Sequence, residues 1–367
     1  MKMQNKIKIK TNKGSYDVLI TQSLNKSLVS VLNELSIGSR LFVVIDSNVF
    51  KYHSEKINKL FGHLKLETKY FQFKASEEAK SLSSVEKIYR SLAENNFGKD
   101  TLLISIGGGI TGDISGFAAA TYMRGIQLIH IPTTITSAVD SAIGGKTGVN
   151  FLTAKNLVGS FYQPKAVLID TGFFATLPLT EIRSGIGEII KYAYLSNSEF
   201  YNLILKNLDQ LQNLRSKELN YILQECIHIK SAIVSMDETE TGLRKILNFG
   251  HTFAHAFESC SGFKIKHGEA VAAGIVSALF LSSRLGFLNV KNLNTLLKLP
   301  ISFGVTRKLQ SLKNQEILNR MKLDKKSKNN EINFVLLKNA GELLVDVRAE
   351  KSDILWALDA MKRSVLV

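Results

Sequence analysis

Residues 101–113 read TLLISIGGGITGD, and this stretch decides the fold. Residues 101–106 form a short apolar run that stops at glycine, the signature of a strand buried on both faces of a parallel sheet. Residues 107–113 then open a helix and satisfy G-x-G-x-x-G through Gly107, Gly109 and Gly112. Glycines let the backbone come close to a pyrophosphate and permit positive φ. The helix start adds unpaired N–H groups and a positive dipole end. A tight strand-to-helix turn with no ligand has the same spacing, so the motif alone is weak.

Moving outward, residues 41–45 (LFVVI), 126–131 (IQLIHI) and 166–169 (AVLI) repeat the pattern, each ending at Asp or Pro. Helical periodicity lies between several of them, as at 84–95. This βα alternation predicts a Rossmann-like, doubly wound parallel-sheet domain at the N-terminus. Ligands of such sheets bind beyond the carboxyl ends of the strands. One feature departs from the usual dinucleotide fingerprint: no acidic residue follows the glycine turn by ~20 positions. Asp46 lies upstream instead, beside Asn48, where it suits a ribose hydroxyl or a helix N-cap equally. Beyond Leu177-Pro178 the pattern turns helical, at 181–195, 199–214, 217–235, 249–259 and 269–285, with one strand-like piece at 332–337. The fold class expected is α/β, with an N-terminal domain over 1–176 and a mainly α-helical domain over 177–367.

Composition excludes several classes. The 367 residues are 45% hydrophobic and 22% charged, enough for a sizeable core. Two cysteines make no disulfide framework and fit a reducing, cytoplasmic setting. The basic start, residues 1–13, has no apolar segment behind it, so no signal peptide is expected. The longest greasy run, 270–281, is shorter than the ~18 residues of a span and reads as a buried helix, so no membrane is expected. The net charge of +15 is spread along the chain without a nucleic-acid-binding motif. It reads as solvated lysine or as steering for an anionic small substrate.

Three of the seven histidines fall within seventeen positions: His251, His255 and His267. His251 and His255 share a helix face but lack the glutamate of a metalloprotease HExxH. Histidine nitrogens and carboxylate oxygens are zinc ligands, and a catalytic site keeps an open position. Glu188 and Lys191 sit three apart on an earlier helix, a spacing that a surface ion pair shares. The stretch from Asp140 to Lys146 holds paired glycines and is followed by Lys155-Asn156; basic side chains beside paired glycines suit phosphate. Lys230 stands in an apolar helical stretch and needs a buried partner. Arg244, four residues after Glu240, could be a simple helix pair.

Together these stretches resemble the dehydroquinate synthase family of sugar-phosphate cyclases over nearly the whole chain. The matching pieces are VVIDSN, SEEAK, GGGITGD, RG, HIPTT, VDSAIGGKTGVN, AKNLVGSF, TLP, SGIGEIIKY, DETETGLRKILNFGHTFAHAFE, KHGEAVAAG and LDKK. The resemblance implies zinc (or cobalt) on Glu188, His251 and His267. It implies NAD on Asp46, Asn48, Glu77, Lys80, Gly108, Gly109, Ile110, Asp113, Thr133, Thr134 and Thr176. The substrate ring would meet Asp140 and Lys191, its carboxylate Lys230 and Arg244. Its phosphate would meet Lys146, Lys155, Asn156, Asn248, His255 and Lys326, with Arg124 supplied by a neighbouring subunit, hence a homodimer. The implied reaction takes 3-deoxy-D-arabino-heptulosonate 7-phosphate through transient oxidation by NAD, β-elimination of phosphate, reduction, ring opening and an internal aldol step.

Thr180, Gly187, Ala254 and Ser76 depart from the family's commonest residues. Gly187 replaces a frequent alanine and is expected to loosen its helix by ~1 kcal/mol. Rival readings are a valiolone- or inosose-type cyclase, a metal-dependent polyol dehydrogenase that would release NADH, and a basic nucleic-acid-binding protein.

Overall fold

A computed structural model describes residues 5–12, 14–35, 38, 40–64, 66–152, 154–323 and 331–365. The chain forms two compact units, Met1–Pro178 with Leu223–Glu238, and Leu179–Ile222 with Thr239–Val367.

In the first unit the described strands and helices are β1 (Asn5–Thr11), β2 (Gly14–Ile20), α1 (Leu24–Glu34), β3 (Arg40–Asp46), α2 (Ser47–Gly62), β4 (Glu67–Phe73), α3 (Leu82–Glu94), β5 (Leu102–Gly107), α4 (Gly109–Thr121), β6 (Gln127–Pro132), β7 (Lys146–Phe151), β8 (Ala154–Phe161) and β9 (Ala166–Ile169). Among the described residues the main sheet has seven strands in the order β1-β2-β9-β6-β5-β3-β4. All neighbours are parallel except β1 and β2. The four apolar runs legible in the sequence are β3, β5, β6 and β9, and β5 is buried along its length. On one face, Phe42, Val44, Ile88, Leu92, Leu103, Ile114, Phe117 and Leu128 form a core. Each such side chain contributes ~1.5–3 kcal/mol on burial. The basic start is itself a strand: in β1, Ile7 and Ile9 are buried while Lys6, Lys8 and Lys10 face out. Lysines on an edge strand discourage pairing with other chains.

Sheet order fixes where a ligand can sit. From β3 the chain adds β4 on one side and β5 on the other, so the strand order reverses between β3 and β5. A crevice opens at the carboxyl ends of two strands whose connections diverge in this way. Asp46 ends β3 and the glycine turn ends β5.

The second unit holds α5 (Leu179–Leu195), α6 (Ser198–Gln212), the start of α7 (Leu219–Met236), α8 (His251–Cys260), α9 (His267–Arg284), α10 (Val290–Phe303), α11 (Asn314–Lys322), the hairpin β10 (Phe334–Asn339) and β11 (Glu342–Val347), and α12 (Lys351–Ser364). The five helices read from the sequence are α5–α9, with ends shifted by at most two residues, and the expected strand lies two positions later, as β10. The greasy run at 270–281 is the buried middle of α9. Among the described residues no helix is long and apolar enough to cross a membrane. From Leu223 onward α7 groups with the first unit. There Ser235 Oγ donates to the Lys10 carbonyl at 2.9 Å, and Glu238 accepts from the Asn12 amide and from Gln163.

Candidate active site

In the first unit the candidate cofactor residues gather at strand ends. A methyl group on Gly107 would lie 2.4 Å from Thr111, one on Gly108 3.1 Å from Thr134, and one on Gly109 3.0 Å from Ser141. None of these glycines has positive φ, so the conformational freedom that glycine permits is not used here; what the missing side chain supplies is space. The Thr134 hydroxyl accepts from the Ser137 amide, Thr133 is buried beside it, and Ile110 and Asp113 lie on the first turns of α4. Asp46 is the N-cap of α2, its carboxylate accepting the Asn48 N–H at 2.8 Å. Burial raises its pKa, against amide hydrogen bonds from Asn48 and Ala75.

The SEEAK loop crosses the same region. Buried Lys80 donates to the Asp113 carboxylate and, at 2.5 Å, to Asn156 Oδ1. Burial raises the Asp113 pKa while Lys80 opposes it. Asn156, read from the sequence with the phosphate group, therefore has its side chain among the cofactor candidates, and Lys155 lies 3.6 Å from Glu77. The reason is the β7–β8 hairpin, which carries both residues back onto the loop. Sequence reading missed Asn150, which anchors this contact: its Nδ2 donates to Glu77 Oε1 at 2.8 Å and its amide to the Lys80 carbonyl. Asn150 closes a quoted motif, but only the hairpin pairing could have singled it out. Thr176 shares a 2.7 Å hydrogen bond with His53 Nε2, another unforeseen neighbour, placed by a kink in α2.

The buried partner required by Lys230 is Asp140: the ammonium donates to its carboxylate and, at 2.5 Å, to its backbone carbonyl. Lys146 and Arg124 are exposed, Arg124 at φ 58° beside Gly125.

In the second unit Glu188, His251 and His267 offer ligand atoms all within 4.8 Å of one another. Glu188 Oε1 lies 2.8 Å from His267 Nε2 and 3.4 Å from His251 Nε2. The other ring nitrogens face acceptors: His251 Nδ1 meets the Phe249 carbonyl at 3.2 Å, and His267 Nδ1 meets Glu258 Oε1 at 3.5 Å. Both imidazoles thus turn Nε2 inward, as metal-binding histidines do. Lys191 Nζ is 2.5 Å from Glu188 Oε2, and both residues are buried, so this is no surface ion pair. Burial alone would raise the Glu188 carboxyl, but Lys191 and the two histidines hold it well below the carboxylate range. Burial lowers His251 to about 4. It works the same way on His267, but the Glu188 and Glu258 carboxylates override it and carry His267 up to about 10. One carboxylate and two imidazoles, leaving an open position, fit catalytic zinc.

Glycines set this geometry. A methyl group on Gly187 would come 2.4 Å from the Gly268 backbone, and one on Gly268 would strike Arg183 and Ser184 backbone atoms at 2.4–2.6 Å. Helices α5 and α9 touch at the residues next to Glu188 and His267. The expectation that Gly187 merely loosens its helix is corrected: it permits the crossing. Gly250, at φ 78°, turns the chain into α8 one residue before His251 and packs against Gly274.

Arg244 is fully buried in a 3-10 turn, Leu243–Asn248. Glu240 and Arg244 do not share a helix: Glu240 has φ 61°, lies before the turn, and accepts from Asn248 Nδ2 at 2.8 Å. His255 is half-buried, with its ring 5.6 Å from that of His251. Lys326 lies outside the described residues.

Comparison with solved structures defines the class as dehydroquinate synthase-like. A 2-deoxy-scyllo-inosose synthase complexed with carbaglucose-6-phosphate, NAD+ and Co2+ is 25% identical, with TM-score 0.88 over 97% of this chain and 99% of that one. The 2-epi-5-epi-valiolone synthase of Streptomyces hygroscopicus subsp. jinggangensis 5008, with NAD+ and Zn2+ bound, is also 25% identical, with TM-score 0.86 over 96% and 98%. Residues 70–184 match the 3-dehydroquinate synthase N-terminal model and residues 185–327 the C-terminal one. The 3-dehydroquinate synthase of Dehalococcoides mccartyi is 38% identical over 95% of this chain and 97% of its own length, and that of Pelagibacter ubique 41% over 92% and 93%. The chain belongs to the 3-dehydroquinate synthase family.

Proposed function

We propose that the chain converts 3-deoxy-D-arabino-heptulosonate 7-phosphate to 3-dehydroquinate and inorganic phosphate, the second step of the shikimate pathway to chorismate and the aromatic amino acids. It does so as a cytoplasmic homodimer, with residues 1–176 serving NAD and residues 177–367 serving the metal. The observation that carries this reading is the Glu188–His251–His267 cluster with buried Lys191 against it, in a chain 36–41% identical to curated 3-dehydroquinate synthases. When bound, zinc or cobalt supplies Lewis acidity toward a substrate hydroxyl, and NAD takes and returns a hydride within one turnover.

The chain's own residues bind and orient. Asp46 and Asn48 suit an adenosine ribose, and the glycine turn brings backbone close to a pyrophosphate. Lys80, fixed by Asp113, Asn156 and the Glu77–Asn150 contact, lines the same crevice. In the second unit Lys191, held against Glu188, places its ammonium beside the cluster, and the planar guanidinium of buried Arg244 suits a carboxylate. Asn248, His255 and Lys326 suit the phosphate, as do Lys146 and Lys155. Asp140 and Lys230, locked together, keep a carboxylate and an ammonium in fixed positions. Exposed Arg124 suits a role toward a second copy of the chain.

The cyclase alternatives are 25% identical and less favoured. The glycerol dehydrogenase of Schizosaccharomyces pombe, 17% identical at TM-score 0.65, shares the fold alone. Purified, zinc-loaded protein is expected to release many phosphates from the heptulosonate per NAD+ added, with no lasting absorbance at 340 nm. Net NADH growth on polyols without phosphate release would replace this reading with a dehydrogenase.

A further inference from the structure

The two imidazoles of the metal cluster are oriented by different kinds of acceptor. His251 Nδ1 faces a backbone carbonyl, Phe249 O at 3.2 Å. His267 Nδ1 faces a side-chain carboxylate, Glu258 Oε1 at 3.5 Å. A carbonyl fixes a tautomer; a carboxylate also makes the far nitrogen a stronger base and so a stronger ligand. Glu258 is 9% exposed, and a carboxylate that buried is retained only against partners. It lies seven residues after His251 and three after His255 on α8, so one helix face carries all three. Helix α9 contributes His267 as its first residue. The two nitrogens of an imidazole diverge, so Glu258 cannot join the group that Nε2 enters, and the ligand cluster among the described residues contains Glu188, His251 and His267.

We infer that Glu258 is a positioning residue for the metal: through His267 Nδ1 it holds the ring with Nε2 turned to Glu188, and it raises the affinity of the cluster for zinc. The inference rests on the metal reading of that cluster. It separates Glu258 from Glu188, the neighbouring buried carboxylate, by function as well as by place. Loss of Glu188 removes a ligand, whereas loss of Glu258 leaves all three ligands and disorders one of them.

The test is zinc affinity of metal-free protein, measured by competition with a chromogenic chelator, for wild type, Glu258→Ala, Glu258→Gln and His267→Ala. The visible absorption of the Co2+-loaded proteins is recorded alongside. Glu258→Ala is expected to bind zinc 10–100-fold more weakly and to shift the Co2+ spectrum, with the unfolding midpoint of the metal-free protein close to wild type. Glu258→Gln keeps an acceptor oxygen at the same place and is expected to recover part of the loss. It also carries the test if the alanine variant does not fold. An affinity for zinc within threefold of wild type in the alanine variant, or in the glutamine variant should that be the one that folds, with an unchanged Co2+ spectrum, overturns the inference. Equal losses in the alanine and glutamine variants overturn the orienting role, because the carboxylate charge and not the acceptor oxygen would then carry the whole effect on affinity. If wild type and His267→Ala bind zinc equally poorly, the metal reading itself falls, and the inference with it.

Discussion

Around the glycine turn, the first unit offers mostly main chain: strand ends, a helix start, and glycines kept bare because Thr111, Thr134 and Ser141 side chains crowd them. Around the histidines, the second unit offers side chains from α5, α8 and α9, and its crowding is backbone against backbone, Gly187 to Gly268 and Gly274 to Gly250. The first arrangement tolerates adjustment, since a side chain can rotate. The second does not, because a helix must move to admit a methyl group.

The largest expected effect comes from emptying the rigid region of one ligand. His267→Ala should remain folded, lose stoichiometric zinc and lose at least about 1000-fold in phosphate release, as expected when Lewis-acid assistance disappears. Metal content by elemental analysis beside circular dichroism checks it. Full activity without added metal would remove His267 from the ligand set and dissolve the contrast between the units.

How much of this could be read beforehand differs between the regions for a physical reason. Strands β3, β5, β6 and β9 are buried on both faces, so their continuous apolar runs are unambiguous in one dimension. His251 and His267 stood out because metal chemistry restricts residue type, while Glu188 joined them only through the family resemblance; the structure brings ligand atoms of all three within 4.8 Å of one another. Strand β4 was not legible, since at a sheet edge its ETKYFQF mixes polar with apolar residues and breaks the two-residue period at Tyr70-Phe71. Strand β1 was read only as a basic start, although its Lys-Ile alternation has the period of a strand. The pairing of Lys230 with Asp140 and the anchoring of Glu77 by Asn150 join residues 90 and 73 positions apart, and local pattern carries no such information. Gly187 was misread for the same reason: its partner, Gly268, is on another helix.

Two glycine substitutions sharpen the contrast. In Gly268→Ala the new methyl group meets Arg183 and Ser184 backbone at 2.4–2.6 Å. Overpacking of that kind costs about 1–3 kcal/mol, and here it should also weaken zinc binding by separating His267 from Glu188. In Gly109→Ala the methyl group meets the Ser141 hydroxyl at 3.0 Å, and a rotamer change relieves it. That variant should raise the Kd for NAD about tenfold, or ~1.4 kcal/mol, while leaving zinc affinity unchanged. Calorimetric NAD titrations and chelator competition on both variants decide the matter. If Gly109→Ala weakens zinc as much as Gly268→Ala does, the two regions do not differ in the way their packing suggests.

The smallest effect concerns the histidine that serves neither site. His130 lies in the middle of β6, 6% exposed, and burial lowers its pKa to about 4 from the ordinary 6.5. His267 moves the opposite way because two carboxylates face it. With His130 neutral when folded, the unfolded chain binds its proton more readily. The contribution to stability is therefore complete above about pH 6.5 and is lost as pH falls toward 4. From those two values the group should cost about 2 kcal/mol of stability between pH 7 and pH 5. Urea unfolding at both pH values should show wild type losing that much more than His130→Gln, which has no proton to gain. Parallel losses would mean that β6 admits water or a proton partner to the ring, and that the main sheet is less closed around His130 than its burial implies.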